Sequence, residues 1–192
     1  MNELTRLILA SASPRRKELL ARIAPTFDCI PAEINEDVDP ALDPRDVARE
    51  LALRKARAVS EKDQTAVVIG ADTIVVLEGK IFGKPKDHEE AFLMLRQLSG
   101  RTHSVYTGVA VVYGDHQEVF VEETKVTFWA LSDGDIDHYI STGEPFDKAG
   151  AYGIQGFGST LVRSIEGDFF NVVGLPISRL YRTLKKMGLL FS

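Results

Sequence analysis

From Ala66 to Leu77 the chain is almost continuously apolar and β-branched, and one segment, Gly70-Ala71-Asp72-Thr73, breaks the pattern. A run that is apolar at odd and even positions alike belongs to a strand covered on both faces. Asp72 is the anomaly in it. A carboxylate in the most apolar strand of a chain caps a turn, binds a cation or takes a proton. With Gly70 beside it, the spacing predicts a bend at a strand end, where α/β proteins commonly carry their sites. The plainer alternative is an aspartate bonded to turn amides.

The flanking sequence supplies strands and helices in alternation. Arg6 to Ala10 reads as a strand, followed at once by Ser13 as helix N-cap and Pro14 at the first helical position. Leu19, Leu20 and Ile23 continue that helix, and Thr26 to Pro31 reads as a second strand. Glu36 to Pro44 reads as a loop, and Asp43-Pro44 opens a long helix to about Ser60. Asp87 with Glu90 resembles a capping box for a helix ending at Gly100, and Ser132 with Asp135 another, stapled by Leu131 and Ile136. Ser104 to Tyr113 and Glu118 to Phe128 form a hairpin around Gly114-Asp115. Thr160 to Ile165 and Phe169 to Val173 read as a second hairpin around Glu166-Gly167-Asp168, before a last helix from Pro176 to Met187. Alternation early and hairpins late predict an α/β fold with a mixed sheet.

Composition excludes several classes. The 192 residues suit one domain, or one with an added lobe, and 44% hydrophobic with 27% charged residues is ordinary for a globular chain. The net charge of −5 argues against a general nucleic-acid binder, so an anionic ligand would need a local basic cluster. Cys29 is the single cysteine, which excludes an internal disulfide and a multi-cysteine metal site; its apolar surroundings predict a small core residue. The start Met1 to Arg6 is not of signal-peptide type, no run approaches a membrane span, and the expected compartment is the cytoplasm.

Several side chains are placed badly for structure alone. Arg15 and Arg16, with Lys17 behind them, crowd the first turn of a helix, where acidic residues are preferred. Strand, small-residue turn and helix N-terminus is a geometry that takes phosphate, although the Gly-x-x-x-x-Gly-Lys of a P-loop is absent. Solvated cations are the alternative. At ~100° per residue, Lys55 falls on the face shared by Val47, Ala48, Leu51, Ala52 and Val59, whereas Arg54 and Arg57 point elsewhere. A lysine there either pairs with an anion or snorkels out from the core edge. Glu33, Glu36, Asp37 and Asp39 are either donors for a hard cation such as Mg²⁺ or Mn²⁺, or a solvated loop; solvation is the better account of Asp37 and Asp39. Lys84 and Lys148 each sit in a turn beside glycine and could meet phosphate. The run Gly150 to Gly158 lacks dinucleotide spacing but admits close backbone approach by a flat ligand, and Gln155 offers a donor and an acceptor to a base edge. His88, His103, His116 and His138 form no metal-ligand spacing, and none makes a persuasive general base. Together these features read as a nucleotide polyphosphate site with a metal.

The stretch Leu7 to Leu20, Gly70-Ala71-Asp72-Thr73, Gly83-Lys84-Pro85, Leu98-Ser99-Gly100, Asp147 to Gly156 and Val173-Gly174-Leu175-Pro176 resemble, in order, the motifs of the Maf family of nucleotide pyrophosphatases. The resemblance implies an elongated mixed α/β sheet around a central cleft, similar to inosine-triphosphate pyrophosphatases, with residues 1–192 as one domain of two lobes. It implies a cytoplasmic, divalent-metal-dependent house-cleaning hydrolase that cuts a nucleoside triphosphate between its α- and β-phosphates, and it allows a homodimer. By motif, Asp72 matches the proton acceptor and Glu36 the acidic partner of the metal; whether Asp72 acts as base or as ligand stays open. Ser13, Arg16, Lys55 and Lys84 match the polar and basic residues that neutralise the triphosphate.

One branch of the family prefers dTTP and UTP, another 7-methyl-GTP. The second commonly has tryptophan at the position of Arg15, glutamine at Thr73 and glutamate at Gln155, so this chain resembles the first at all three. The amide of Gln155 can donate to a pyrimidine O4 and accept from N3–H, whereas positively charged 7-methylguanine favours a carboxylate. A 7-methyl-GTP enzyme and a non-catalytic nucleotide sensor acting on septation are the competing expectations. An RNA-binding module has less support, since no face interleaves aromatic and basic residues.

Overall fold

The computed structural model describes residues 5–189. The residues Met1 to Leu4, on which the expectation about the N-terminus partly rested, lie outside them. In chain order the elements are β1 (Leu7–Leu9), α1 (Pro14–Leu20), β2 (Asp28–Cys29), α2 (Pro44–Ser60), β3 (Val67–Leu77), β4 (Lys80–Phe82) and α3 (His88–Leu98). They continue with β5 (Thr102–Tyr113), β6 (His116–Phe128), α4 (Asp133–Ser141), three short 3₁₀ turns, β7 (Val162–Glu166), α5 (Phe169–Val173) and α6 (Ile177–Lys186). The strands form one mixed sheet of order β2-β1-β3-β5-β6-β7, with β4 paired to β3. β1 runs parallel to β2 and β3, whereas β4 and β7 run antiparallel to β3 and β6. The expected mixed α/β fold is therefore present.

Capping chemistry explains the helix starts. Ser13 and Asp43 accept from the backbone N–H of Arg16 and Arg45, each with proline next in line. Ser132 and Asp135 close a full capping box, and Leu131 and Ile136 are buried in one cluster. The box at Asp87 is only half formed, because Glu90 accepts from the N–H of Lys86 instead of that of Asp87.

Four expectations are corrected. β3 does not break at Gly70-Ala71-Asp72-Thr73; it runs straight through, and Asp72 lies inside a strand instead of at its end. The second strand shrinks to Asp28–Cys29, and Cys29 is exposed rather than in the core, because β2 is a two-residue edge strand. Phe169 to Val173 is a helix, so the second hairpin does not exist. Asp168 is the reason: its carboxylate accepts from the N–H of Phe170 at 2.8 Å and its main chain exchanges hydrogen bonds with Thr124. Buried Asn171 then donates to Val105 O and Thr124 Oγ1, which holds the helical turn in place. The strand before it, β7, pairs instead with β6.

The chain divides into two compact units. Of the described residues, the first comprises 5–72, 107–122 and 174–189, and it contains α2. Ala48, Ala52 and Ala56 form the buried face of α2, and they meet sheet positions occupied by Gly70 and Gly108. A Cβ on Gly70 would lie 2.3 Å from the carbonyl oxygen of Ala52, and one on Gly108 2.1 Å from that of Ala48. The helix backbone thus rests directly on the sheet, closer than any side chain would permit.

The second unit comprises residues 73–106 and 123–173. Its core gathers Val75, Leu95, Leu98, Phe128, Ile136, Tyr139 and Tyr152. His103 belongs to this core, 2% exposed, with Nε2 2.7 Å from the Tyr152 hydroxyl and its ring edge-on to Phe128. Burial pulls its pKa down from 6.5 to about 4. Between those values the unfolded chain binds a proton that the folded chain refuses, so stability falls as pH drops from 6.5 towards 4. The full loss is about 3 kcal/mol. Urea midpoints measured from pH 7 to pH 4 should show this slope, and a His103→Phe chain should lose that part of it; parallel curves for the two chains would refute the assignment.

Candidate active site

Lys55 is where the first unit concentrates charge. It follows the small-residue face of α2, and the close seating of that face on Gly70 brings it to the same side of β3 as Asp72, two residues along. Its ammonium donates to Asp72 Oδ1 at 2.6 Å and pairs with Glu36 Oε1 at 2.9 Å. The Lys55 side chain is 14% exposed and that of Asp72 12%, whereas Glu36 reaches in from solvent at 63%. The anion-paired reading of Lys55 is the one realised. A lysine this buried needs such partners to offset the loss of water.

Glu36 lies in the expected loop, and that loop is tied down. Arg54 Nη1 donates to the carbonyls of Asn35 at 3.2 Å and Asp37 at 2.7 Å, on either side of Glu36. Glu50, one turn back on α2, holds the same guanidinium. Arg54 does point away from the core stripe, as its helical angle predicts, yet it grips the segment that carries Glu36. Sequence reasoning missed that role, because nothing local links a helix arginine to main-chain carbonyls 17 and 19 residues earlier.

Arg16 also turns inward. Its Nε donates to Gly174 O at 2.8 Å and its Nη1 to Ser11 Oγ at 3.4 Å. Burial lowers its pKa, Asp72 and Glu36 act to raise it, and Arg15 lowers it. Asp72 and Glu36 thus influence both of these part-buried cations. Ser13 caps α1 by accepting from Arg16 N–H at 3.4 Å. Since α1 has only seven residues and none is acidic in its first turn, Arg15 and Arg16 carry the attraction for an anion more than the helix dipole does. The first unit therefore brings together Ser13, Arg15, Arg16, Glu36, Lys55 and Asp72.

The second unit holds Thr73, Lys84, Lys148 and Gln155. Thr73 follows Asp72 directly in β3. Gly150 N–H donates to Gly83 O at 3.0 Å, which joins the turn of Lys84 to that of Lys148. Lys84 is exposed; Lys148 is turned back, donating to Glu144 O at 2.6 Å and Asp147 Oδ1 at 2.7 Å. Gln155 is exposed between buried Ile154 and a glycine turn. Among the described residues no group of three or more His, Cys, Asp or Glu could hold a metal ion. Asp37 offers its main-chain carbonyl to Arg54, and the Asp39 carboxylate accepts from Ala41 N–H. Glu36 and Asp72 converge on the Lys55 ammonium, and two hard carboxylates completed by phosphate oxygens are of a kind that would suit a divalent cation.

The model of a family described as Maf-like protein matches residues 6–187. The chain belongs to the Maf family. Among its relatives are Maf proteins named dTTP/UTP pyrophosphatase: one from Bacillus cereus is 50% identical over 184 residues, covering 96% of each chain, and one from Bacillus anthracis is 51% identical over the same share. The Maf fold here is also similar to the solved structure of the Staphylococcus aureus Ham1 protein, with a TM-score of 0.56, 16% identity, and coverage of 95% of this chain and all of that one. At that identity the likeness concerns the fold. No helix among the described residues of this Maf protein is long and apolar enough to cross a membrane.

Proposed function

We propose that this Maf protein hydrolyses dTTP and UTP to the monophosphate and pyrophosphate, as a house-cleaning enzyme of the cytoplasm. The observation that carries the proposal is the buried Lys55 held between Asp72 and Glu36, in a chain half identical to relatives named for that activity. A lysine and an aspartate this far removed from water are costly to fold and are poorly explained by stability alone.

In this reading a water molecule attacks the α-phosphorus and the bond to the β-phosphate oxygen breaks. Asp72 takes the proton of the attacking water, and Lys55 fixes which of its oxygens is engaged. Arg15, Arg16 and Ser13 hold phosphate oxygens, with Arg16 pinned by Gly174 so that its charge is already in place. Lys84 and Lys148 balance charge on the departing pyrophosphate, while Thr73 and Gln155 contact the nucleoside. Glu36 and Asp72 would hold a divalent cation, Mg²⁺ or Mn²⁺. When bound, that cation neutralises phosphate charge and acidifies water.

Product analysis tests the proposal. Protein incubated with Mg²⁺ or Mn²⁺ and dTTP, UTP, CTP, ATP, GTP or 7-methyl-GTP should yield monophosphate and pyrophosphate, mainly from dTTP and UTP. Diphosphate with free phosphate would overturn the bond assigned, and pyrophosphate chiefly from 7-methyl-GTP would overturn the base preference. Binding without turnover of any substrate would favour a sensor. Gln155→Glu should lower the preference for dTTP over 7-methyl-GTP by about tenfold or more, since a carboxylate cannot donate to O4; an unchanged ratio would remove Gln155 from base reading.

A further inference from the structure

The exposed side chain of Gln155 stands on a loop that is clamped at both ends by one neighbouring segment. Ahead of it, the N–H of Gly153 donates to the Tyr139 hydroxyl at 3.1 Å. Behind it, the N–H groups of Phe157 and Gly158 donate to the two carboxylate oxygens of Glu144, at 2.9 and 3.2 Å. Two successive amides around one carboxylate form a charge-assisted pair of hydrogen bonds, stronger than neutral ones. The ends of the loop also touch: a Cβ on Gly158 would lie 2.1 Å from the carbonyl oxygen of Gly153. Gly156, the residue after Gln155, has a φ of +62°, and a Cβ there would lie 2.7 Å from Glu144 Oε1. Glycine is required at that point for both reasons.

Glu144 is itself held through its main chain. Lys148 Nζ donates to its carbonyl oxygen at 2.6 Å. Ile154 is buried, so Gln155 projects from a closed ring of backbone with little freedom of its own. The clamp uses no residue assigned to phosphate or proton chemistry except Lys148.

We infer that Glu144, with Tyr139 as its second anchor, is the positioning residue that fixes Gln155 and thereby sets the base preference. This role rests on the proposed function, in which Gln155 meets the pyrimidine. A hydrogen-bonding residue discriminates between bases only when its own position is held, because a loose amide reaches several edges at similar cost.

The test compares kcat and KM for dTTP and GTP in the wild type, Glu144→Gln, Glu144→Ala and Tyr139→Phe. Glu144→Ala should lower the dTTP-to-GTP ratio of kcat/KM by about tenfold or more, through KM for dTTP, with kcat for dTTP changed less than about threefold. Glu144→Gln keeps one acceptor oxygen and should recover part of the ratio, and Tyr139→Phe should lower it to a lesser degree. Amide exchange at Phe157 and Gly158 should quicken in Glu144→Ala. The ratio is independent of how much of a variant is folded, so partial unfolding does not imitate the effect. An unchanged ratio in Glu144→Ala, or one common loss of kcat on both substrates, would overturn the inference alone. A wild-type enzyme that left dTTP intact would overturn the proposed function, and this role with it.

Discussion

Asp72→Asn should reduce pyrophosphate release from dTTP by about 10²–10⁴-fold, the range expected for loss of a positioned proton acceptor. The substitution keeps the shape of the side chain and an oxygen that Lys55 can still address, so nucleotide binding should survive. Lys55 retains Glu36 as a counter-ion, which limits the penalty of leaving a buried ammonium short of charge. Steady-state rates, equilibrium dialysis with dTTP and a circular dichroism spectrum would together decide the matter. Turnover within threefold of the wild type would exclude Asp72 from the chemistry. Lost turnover with lost binding and a melted spectrum would instead make it structural.

The second large effect is expected far from any reacting atom. Gly70→Val should destabilise the first unit by about 3 kcal/mol or more, at or beyond the upper end of ordinary overpacking. The obstacle is the α2 backbone, at Ala52 O and Ala56 N, so no side chain can swing aside and the helix itself must lift. Lifting α2 carries Lys55 away from Asp72, and activity should fall together with stability. At ~2–4 °C per kcal/mol for a chain of this size, the melting midpoint should drop by ~6–12 °C. Gly83→Ala makes a control, because nothing lies within 4 Å of a Cβ there. A Gly70→Val chain that melts with the wild type would show that α2 has room to spare.

These two residues also mark where sequence and structure part. Asp72 was conspicuous because a carboxylate in an apolar strand violates the pattern around it. Gly70 is conspicuous too, but a glycine that suits a bend equally suits a bare place in the strand on which a helix rests, and the second is what the fold uses. Both accounts put a glycine next to Asp72. Only the position of α2 distinguishes them, and that helix begins 26 residues earlier. Lys55 was placed correctly on the inward stripe of its helix, since a helical angle is a local property. Its partners were not legible, because Asp72 lies 17 residues away and its approach depends on the seating of α2 on Gly70.

The α5 segment shows a different kind of miss. Phe169, Phe170, Val172 and Val173 look like a strand by composition, and five residues are too few for periodicity to correct that. Asp168 can cap a helix, but a turn residue between two apolar runs is equally the mark of a hairpin, and only the bond to Phe170 N–H separates the two. Glu144 left no signal that could be weighed beforehand, since an acidic residue ahead of a proline is unremarkable until the amides of Phe157 and Gly158 fold back onto it.

What the sequence by itself determined is what acts over a few residues: the caps at Ser13, Asp43, Asp87 and Ser132, the inward face of α2, the hairpin at Gly114, and the conflict that marks Lys55 and Asp72 as residues with work to do. Tertiary structure decided which charges meet. Arg16 finds Gly174 across 158 residues, Lys55 finds both of its carboxylates, and the loop of Gln155 finds Glu144. The physical reason is that caps and periodicity are paid within one turn of chain, whereas a buried ion pair gains its energy only after the backbone has closed around it and excluded water.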